Sequence, residues 1–234
     1  MASIDRTGER SWDARATVWD QVSQSQVFGG FRSQILARAE ISTSDVVLDL
    51  GCGTGLLCLE AALRCQRVIG LDYSSKMLER LRITAENAGL ENVDCVRADM
   101  RCLPFDDSSV DVVVSCYALH HLTNDGKELA VAEAKRVLRP GGRLVVVDMM
   151  FGLSWAARDR QVIVGKLALL ARKGPSGFVR IARNAGRLAL GRWEQPATTE
   201  WWRQMLERRG LDSVCVETLM NEAGCATARR EHAR

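Results

Sequence analysis

The most constraining feature of this chain is a short apolar run that ends in three glycines at alternate positions, Val47-Leu48-Asp49-Leu50-Gly51-Cys52-Gly53-Thr54-Gly55. Val46 to Leu50 carries β-branched residues and reads as a strand, and Leu56 to Leu63 continues with helical spacing, so strand, glycine turn and helix follow one another. Glycine is needed where the backbone takes positive φ or where a ligand approaches the chain closely, so the turn is either an ordinary βα connection or a bare ledge under a ligand. Two phosphate-binding versions of such a ledge fail on the letters. A dinucleotide fingerprint requires glycine or alanine where Leu56 or Cys58 stands, and a phosphate-binding P-loop requires a lysine that the segment lacks.

The same alternation continues along the chain. Arg67 to Leu71, Val93 to Arg97, Val110 to Cys116 and Arg143 to Asp148 read as strands, with an amphipathic helix over Ser75 to Ala88 closed by Gly89 and another over about Asp125 to Leu138. Pro140-Gly141-Gly142 is expected to be the turn that stops the latter helix. Strands separated by helices pair in parallel through right-handed crossovers, giving a three-layer α/β sheet whose ligands sit at the carboxyl ends of the strands. Thr199 to Arg209 reads as a helix. Ser213 to Leu219 and Gly224 to Ala228 read as a final pair of strands, short and directly joined, which favours an antiparallel edge.

At 234 residues, with 47% apolar and 26% charged residues and only 4 Pro, the chain suits one α/β domain with an elaboration. No apolar run approaches a membrane span and the N-terminus has no signal-peptide core, so a cytoplasmic protein is expected. The eight cysteines include no C-x-x-C pair and lie mostly in apolar runs, as reduced buried thiols do. With three histidines, two of them adjacent, no metal site is expected. The net charge of +3 conceals an asymmetry. Residues 155 to 192 hold nine Lys or Arg and one acid, a local +8 that leaves −5 for the rest.

Two further strand tips carry acids. Gly70-Leu71-Asp72-Tyr73-Ser74 places a carboxylate where it can accept both hydroxyls of a ribose, and Arg97-Ala98-Asp99-Met100 places one suited to an exocyclic amine. The motifs VLDLGCGTG, GLDYS, RADMRCLPF, VDVVVSCYALHHL and RVLRPGGRLVVVD together resemble the class I S-adenosylmethionine-dependent methyltransferases, in particular the branch with ubiquinone and menaquinone C-methyltransferases and natural-product methyltransferases. The resemblance covers about residues 45 to 150. It implies a Rossmann-like seven-stranded sheet, mostly parallel with an antiparallel edge strand, and S-adenosyl-L-methionine as cofactor. Gly51, Gly53 and Gly55 would form the ledge under its methionine part, with Asp49 reaching the ammonium and Thr54 near the carboxylate. Asp72 would hold the ribose hydroxyls and Tyr73 flank the adenine. Asp99 would accept from adenine N6 with the Met100 backbone at the ring edge, and Ser115 would touch the cofactor beside the methyl group.

A sulfonium methyl is already activated, so alignment of an acceptor behind it does most of the work, with a general base adding to it where the acceptor is a hydroxyl or activated carbon. His120 and His121, just past strand four, and Tyr117 are the candidates for that base. Residues 1–44, with Trp12, Trp19, Phe28 and Phe31, are expected to form an N-terminal helical lid or a cap on the sheet. Residues 45–150 form the cofactor-binding core, 151–200 a basic helical substrate-lid insert, and 201–234 the helix and edge strands that complete the core. Within the insert, Phe178 to Ala189 reads as an amphipathic helix with a cationic face, either a solvated lid surface or a peripheral membrane contact through 155–192. No aromatic pattern alternates with its arginines, which argues against nucleic acid. The expected activity is metal-independent methyl transfer to O, C or N of a small organic acceptor, natural product or quinone-like, by a monomer or homodimer. The rival is a catalytically silent cofactor-binding interaction subunit.

Overall fold

The computed structural model describes Asp13, Trp19 and residues 23–152, 157–172, 174, 179, 195–220 and 222–232. Seven strands form one sheet in the order β3-β2-β1-β4-β5-β7-β6. In chain order the elements are α1 (Gln26–Ala39), β1 (Val46–Leu50), α2 (Leu56–Ala62), β2 (Arg67–Asp72), α3 (Ser75–Asn87), β3 (Val93–Arg97), β4 (Val110–Cys116), a 3-10 turn (Leu119–His121), α4 (Asn124–Val137), β5 (Leu138–Met149), α5 (Ala157–Ala171), α6 (Thr199–Arg208), β6 (Leu211–Thr218) and β7 (Ala223–Arg230).

Strands one to five pair in parallel because a helix or long crossover intervenes between each and its neighbour. β6 and β7 are joined by a few residues and pair antiparallel. The reversed strand is therefore β7, set between β5 and the outermost β6. Strand alternation feeds two cores. In β5, Leu144 and Val146 face α4 and α6, whereas Val145 and Val147 face the side built by α1, α2 and α3.

Local chemistry explains the helix ends. Ser74 caps α3, its hydroxyl accepting from the Met77 amide at 3.2 Å, a contact worth about 1 kcal/mol, and Gly89 follows the helix in the left-handed conformation at φ 66°. Pro140-Gly141-Gly142 departs from the expected turn. These residues run inside β5, and pairing with β4 slips so that Val110 faces Leu138 while Val112 faces Arg143. Pro140 has no amide to give the ladder and Gly141 takes φ 79°, so the chain bulges and continues as strand. Apart from Val179, the amphipathic helix expected over Phe178 to Ala189 lies outside the described residues, as does Trp12.

Crossing from β3 to β4 reverses the direction in which the sheet grows. The reversal opens a crevice at the carboxyl ends of β1 and β4, where open α/β sheets bind ligands.

Candidate functional site

A cleft of about 320 Å³ occupies that crevice. Its floor is the glycine turn. Gly51, Gly53 and Gly55 take φ of 70°, 55° and 86°, and the amides of Gly51 and Cys52 both donate to the Leu71 carbonyl, at 2.8 and 3.0 Å. A Cβ on Gly51 would lie 2.4 Å from that of Ala118, and one on Gly53 would lie 2.8 Å from Trp19 Nε1. The ledge is bare because a side chain there has neither the conformation nor the space.

Asp72, at the tip of β2, accepts from the Gly53 amide on one oxygen and the Ser74 amide on the other, each at 2.9 Å. Burial pushes its carboxyl above the usual range, although these amide bonds favour the ionised form. A carboxylate has about four acceptor sites, more than the backbone amides here use, so the group is fixed in place and still able to accept from a hydroxyl. Tyr73 and Met100 line the same cleft. Asp99 lines it too, held by the Arg101 side chain with Nε 3.0 Å from both oxygens and Nη2 2.5 Å from one. Burial raises the Asp99 carboxyl, but the guanidinium outweighs it and holds the group below its ordinary value. Arg101, itself a wall of the cleft, gave no signal beyond its place two residues after an acid.

A second cavity of about 30 Å³ adjoins the ledge and is lined by Asp49, Thr54, Gly55 and Cys116, among others. Asp49 is buried, accepts from the Cys58 thiol at 3.2 Å, and is raised to about 7 by desolvation. A carboxyl in that state is stabilised by any cation brought beside it. Burial also pushes the Cys52 thiol up to about 12 and the Cys116 thiol higher, so neither is an activated nucleophile.

Ser115 departs from expectation. It is fully buried, its hydroxyl donates to the Leu50 carbonyl at 2.8 Å, and it lines neither cavity. One residue along the strand reverses the side-chain direction, so Cys116 and then Tyr117 reach the cavities instead.

The candidate bases separate by environment. His121 is exposed and lines the cleft. His120 is buried, with Nδ1 2.5 Å from Asp148 Oδ1 and its amide donating to Asp148 Oδ2 at 3.0 Å. The two imidazole centroids are 3.9 Å apart. Burial alone would raise the Asp148 carboxyl, but His120 and the bound amides hold it below its ordinary value. Asp148 was assigned no role from the sequence, although it is an acid near the end of an apolar strand. Tyr117 adopts φ 55°, lines the cleft, stacks on Phe31 at 5.1 Å and meets the His120 ring edge-on at 5.7 Å.

The N-terminal aromatics Phe31 and Trp19 lie in different surroundings. Phe31 is buried in the core, whereas Trp19 lies against Gly53 and lines both cavities. Asp13 reaches over the cleft rim, accepting from the Ser74 hydroxyl at 2.5 Å.

The roots of the insert meet beside the histidines. The Gly152 amide donates to buried Asp159 at 2.9 Å, and a Cβ on Gly152 would come within 3.1 Å of Thr198 Cγ2. The Gln195 amide donates to the His120 carbonyl at 2.7 Å. Buried Lys127 donates to the carbonyls of Gln195 at 2.5 Å and Leu122 at 2.9 Å and to Asn124 Oδ1 at 3.2 Å. Desolvation lowers Lys127 to about 8, with Asp148 acting in the opposite sense.

Among the described residues no group of three or more His, Cys, Asp or Glu could hold a metal ion, and no helix is long and apolar enough to cross a membrane. All eight cysteines are free. Cys52, Cys58, Cys65 and Cys225 are buried, whereas Cys102 and Cys215 are exposed.

Residues 47–142 match the family described as methyltransferase domain. A ubiquinone/menaquinone biosynthesis C-methyltransferase of Francisella tularensis subsp. novicida is 36% identical over 143 residues, 57% of this chain and 55% of that protein, so the chain spans about half the length of this relative. The crystal structure of the YcgJ protein of Bacillus subtilis superposes with a TM-score of 0.64 at 19% identity, covering 86% of this chain and 98% of that one. A structure described as a [4+2]-cyclase, SpnF, superposes with a TM-score of 0.72 at 16% identity over 96% of this chain and 95% of that one.

Proposed function

We propose, from the premise that residues 47–142 belong to the methyltransferase-domain family and fold as a class I S-adenosylmethionine-dependent methyltransferase, that this protein transfers a methyl group from S-adenosyl-L-methionine to O, C or N of a small organic acceptor. The observation that carries the proposal is the pairing of Asp72, a carboxylate pinned by two amides with acceptor capacity to spare, with a glycine ledge too crowded for any side chain.

The residues fit this cofactor group by group. Asp72 would take the ribose hydroxyls, and Tyr73 would flank the adenine. Asp99 and the Met100 backbone would meet the edge of that ring. Asp49, buried and raised to about 7, is the partner an ammonium would re-ionise, and Thr54 sits beside it in the same small cavity. The cofactor carries no phosphate, in keeping with a glycine loop free of lysine. When bound, S-adenosylmethionine supplies an activated methyl on a sulfonium.

The chain's own share is to align the acceptor, exclude water and take a proton. Alignment alone is worth roughly 7 to 11 kcal/mol in favourable cases. Asp148 fixes the ring and tautomer of His120, and the neighbouring His121 ring opens on the cleft. The pair is thus arranged for an imidazole to take a proton from an acceptor while the ionised Asp148 steadies the positive charge that results. Tyr117 forms the wall between the ledge and the histidines and stands as the other proton acceptor. A quinone-like or natural-product acceptor is supported by the name of the Francisella relative and by the apolar residues Met149, Phe151 and Val162 clustered against Tyr117. A cytoplasmic location is supported by the free thiols.

Calorimetry with S-adenosylhomocysteine, followed by transfer of labelled methyl to a panel of phenols, quinols and enolisable carbons, tests the proposal. Micromolar binding with transfer to one acceptor class supports it. Stabilisation by a nicotinamide dinucleotide in place of S-adenosylhomocysteine would overturn it.

A further inference from the structure

Lys127 plays no part in the transfer proposed above, yet among the described residues it is the one Lys or Arg that is fully buried, with 1% exposure. Three things count against an ammonium there. Lys127 stands in the first turn of α4, at the positive end of the helix dipole. It meets no carboxylate, since its three acceptors are the carbonyls of Leu122 and Gln195 and Asn124 Oδ1. Burial pushes it down to about 8, so the charged form is a cost to the fold at neutral pH. The Asp148 charge and the Trp201 ring, whose centroid lies 5.8 Å from Nζ, offset part of that cost. A methionine would fill the same space without it.

What the ammonium has and an apolar side chain lacks is three donors, and all three are used. Two of them close a ring. The Gln195 amide donates to the His120 carbonyl at 2.7 Å, the Gln195 carbonyl accepts from Nζ at 2.5 Å, and Nζ donates again to the Leu122 carbonyl at 2.9 Å. His120 and Leu122 flank His121, so the ring is completed through the backbone of the residue whose imidazole opens on the cleft. Asp148 grips the other member of the pair, taking the His120 amide and ring on the buried side of the 3-10 turn. Resting on the transfer proposed above, the geometry points to Lys127 as a positioning residue for His121. Its ammonium holds the backbone on both sides of that histidine, which fixes the imidazole toward the cleft and couples its direction to the seating of the chain at Gln195.

The test is NMR of the full chain with 13C-labelled histidine rings. The sequence has three histidines, and His121→Gln and His232→Gln assign their signals. The imidazole centroids of His120 and His121 are 3.9 Å apart, close enough for their ring protons to cross-relax. Released to sample three staggered χ1 wells, His121 would keep that contact for about a third of the time, so Lys127→Met should weaken the cross-peak about threefold and leave the His232 signal in place. Lys127→Gln, uncharged and shorter, is expected to show the same loss and serves where Lys127→Met does not fold. Asn124→Ala removes the acceptor outside the ring and should leave the cross-peak unchanged. Lys127 lines neither cavity, so calorimetric affinity for S-adenosylhomocysteine should stay within about twofold in these variants, which also proves folding. In transfer of labelled methyl to a phenol, quinol or enolisable carbon, the Lys127 variants should lose at least about 10-fold in kcat at little changed KM, a part of the roughly 10² to 10⁴ that a general base contributes. A cross-peak of wild-type intensity in both Lys127 variants, a loss reproduced by Asn124→Ala, or an unchanged kcat would each overturn the assignment. Wild-type protein that binds no S-adenosylhomocysteine would overturn the adenosyl site, and with it the role of His121 in transfer.

Discussion

Gly55 couples the ledge to the core through one contact whose cost can be worked out. An alanine at φ 86° pays roughly 1–2 kcal/mol for the left-handed backbone. Its Cβ would lie 2.1 Å from Leu81 Cδ1, 2.7 Å from Cγ and 3.0 Å from Cβ. Leu81 is completely buried and is wedged against Gly70 as well, where a Cβ would meet its other methyl at 2.6 Å, so it cannot swing aside. Overpacking of this kind adds about 1–3 kcal/mol, for a total of roughly 2–5 kcal/mol. At about 2–4 °C per kcal/mol for a chain of this size, Gly55→Ala should lower the melting temperature by at least about 4 °C. Leu81→Ala alone should cost roughly 2–5 kcal/mol through the cavity it leaves. In the double variant the new methyl partly fills that cavity, so the two losses should fall short of their sum by about 1–3 kcal/mol while the backbone strain remains. Thermal and urea unfolding of the four proteins measure this coupling. Strict additivity, or a Gly55→Ala protein that melts with the wild type, would refute the argument from close packing.

Other outcomes follow from the site. Asp72→Ala should reduce S-adenosylhomocysteine affinity at least 100-fold, since two charge-assisted hydrogen bonds are lost together; retained micromolar binding in calorimetry would contradict the assignment. Asp49 has a folded value of about 7 against an ordinary 3.8, so the stability it provides is complete below about 4 and is lost as pH rises to 7. Asp49→Asn should therefore raise the stability of the unliganded protein at pH 8, by at most about 4 kcal/mol, with the gain fading as pH falls toward 4 in urea titrations. The same group predicts that S-adenosylhomocysteine releases protons near pH 7, read as a dependence of binding heat on the ionisation enthalpy of the buffer. Asp148→Asn removes the partner that fixes His120 and should lower kcat by roughly 10² to 10⁴ with little change in KM; an unchanged pH-rate profile would exclude the pair from proton transfer. Because Asp148 is held below its ordinary value, its contribution to stability is present near neutrality and is lost only as acid protonates it.

The strands were legible where short runs rich in Val, Ile and Leu stood out: Val46–Leu50, Val93–Arg97 and Val110–Cys116 form over the residues their pattern indicates. Asp72, Tyr73, Asp99 and Met100 were legible as well, because strand-tip residues of a parallel sheet converge on one crevice whatever the packing behind them. Ser115 was not, since strand pairing decides which of two adjacent residues turns inward, and the Leu50 carbonyl claims its hydroxyl. Nor was β5 through Pro140, where a bulge rather than a turn absorbs the missing amide. Lys127 was not legible either: the Gln195 carbonyl that completes its set of acceptors lies 68 residues away, and nothing local marks a basic residue that folding will bury.

The chain leaves the core at Gly152 and comes back at Thr198, positions close enough that a methyl on the first would touch the second. Closing so small a gap asks little of whatever lies between, because loop-closure cost grows only slowly with length. Changes of length between those two points are therefore tolerated by the sheet and its glycine floor provided that Asp159 keeps its bond to Gly152 and Val162 its packing against Met149 and Phe151. Lys127 and Asp159 act as the two staples at the seam. Chimeras that keep Lys127 and the contact of Asp159 with Gly152 should retain the glycine floor and its fold.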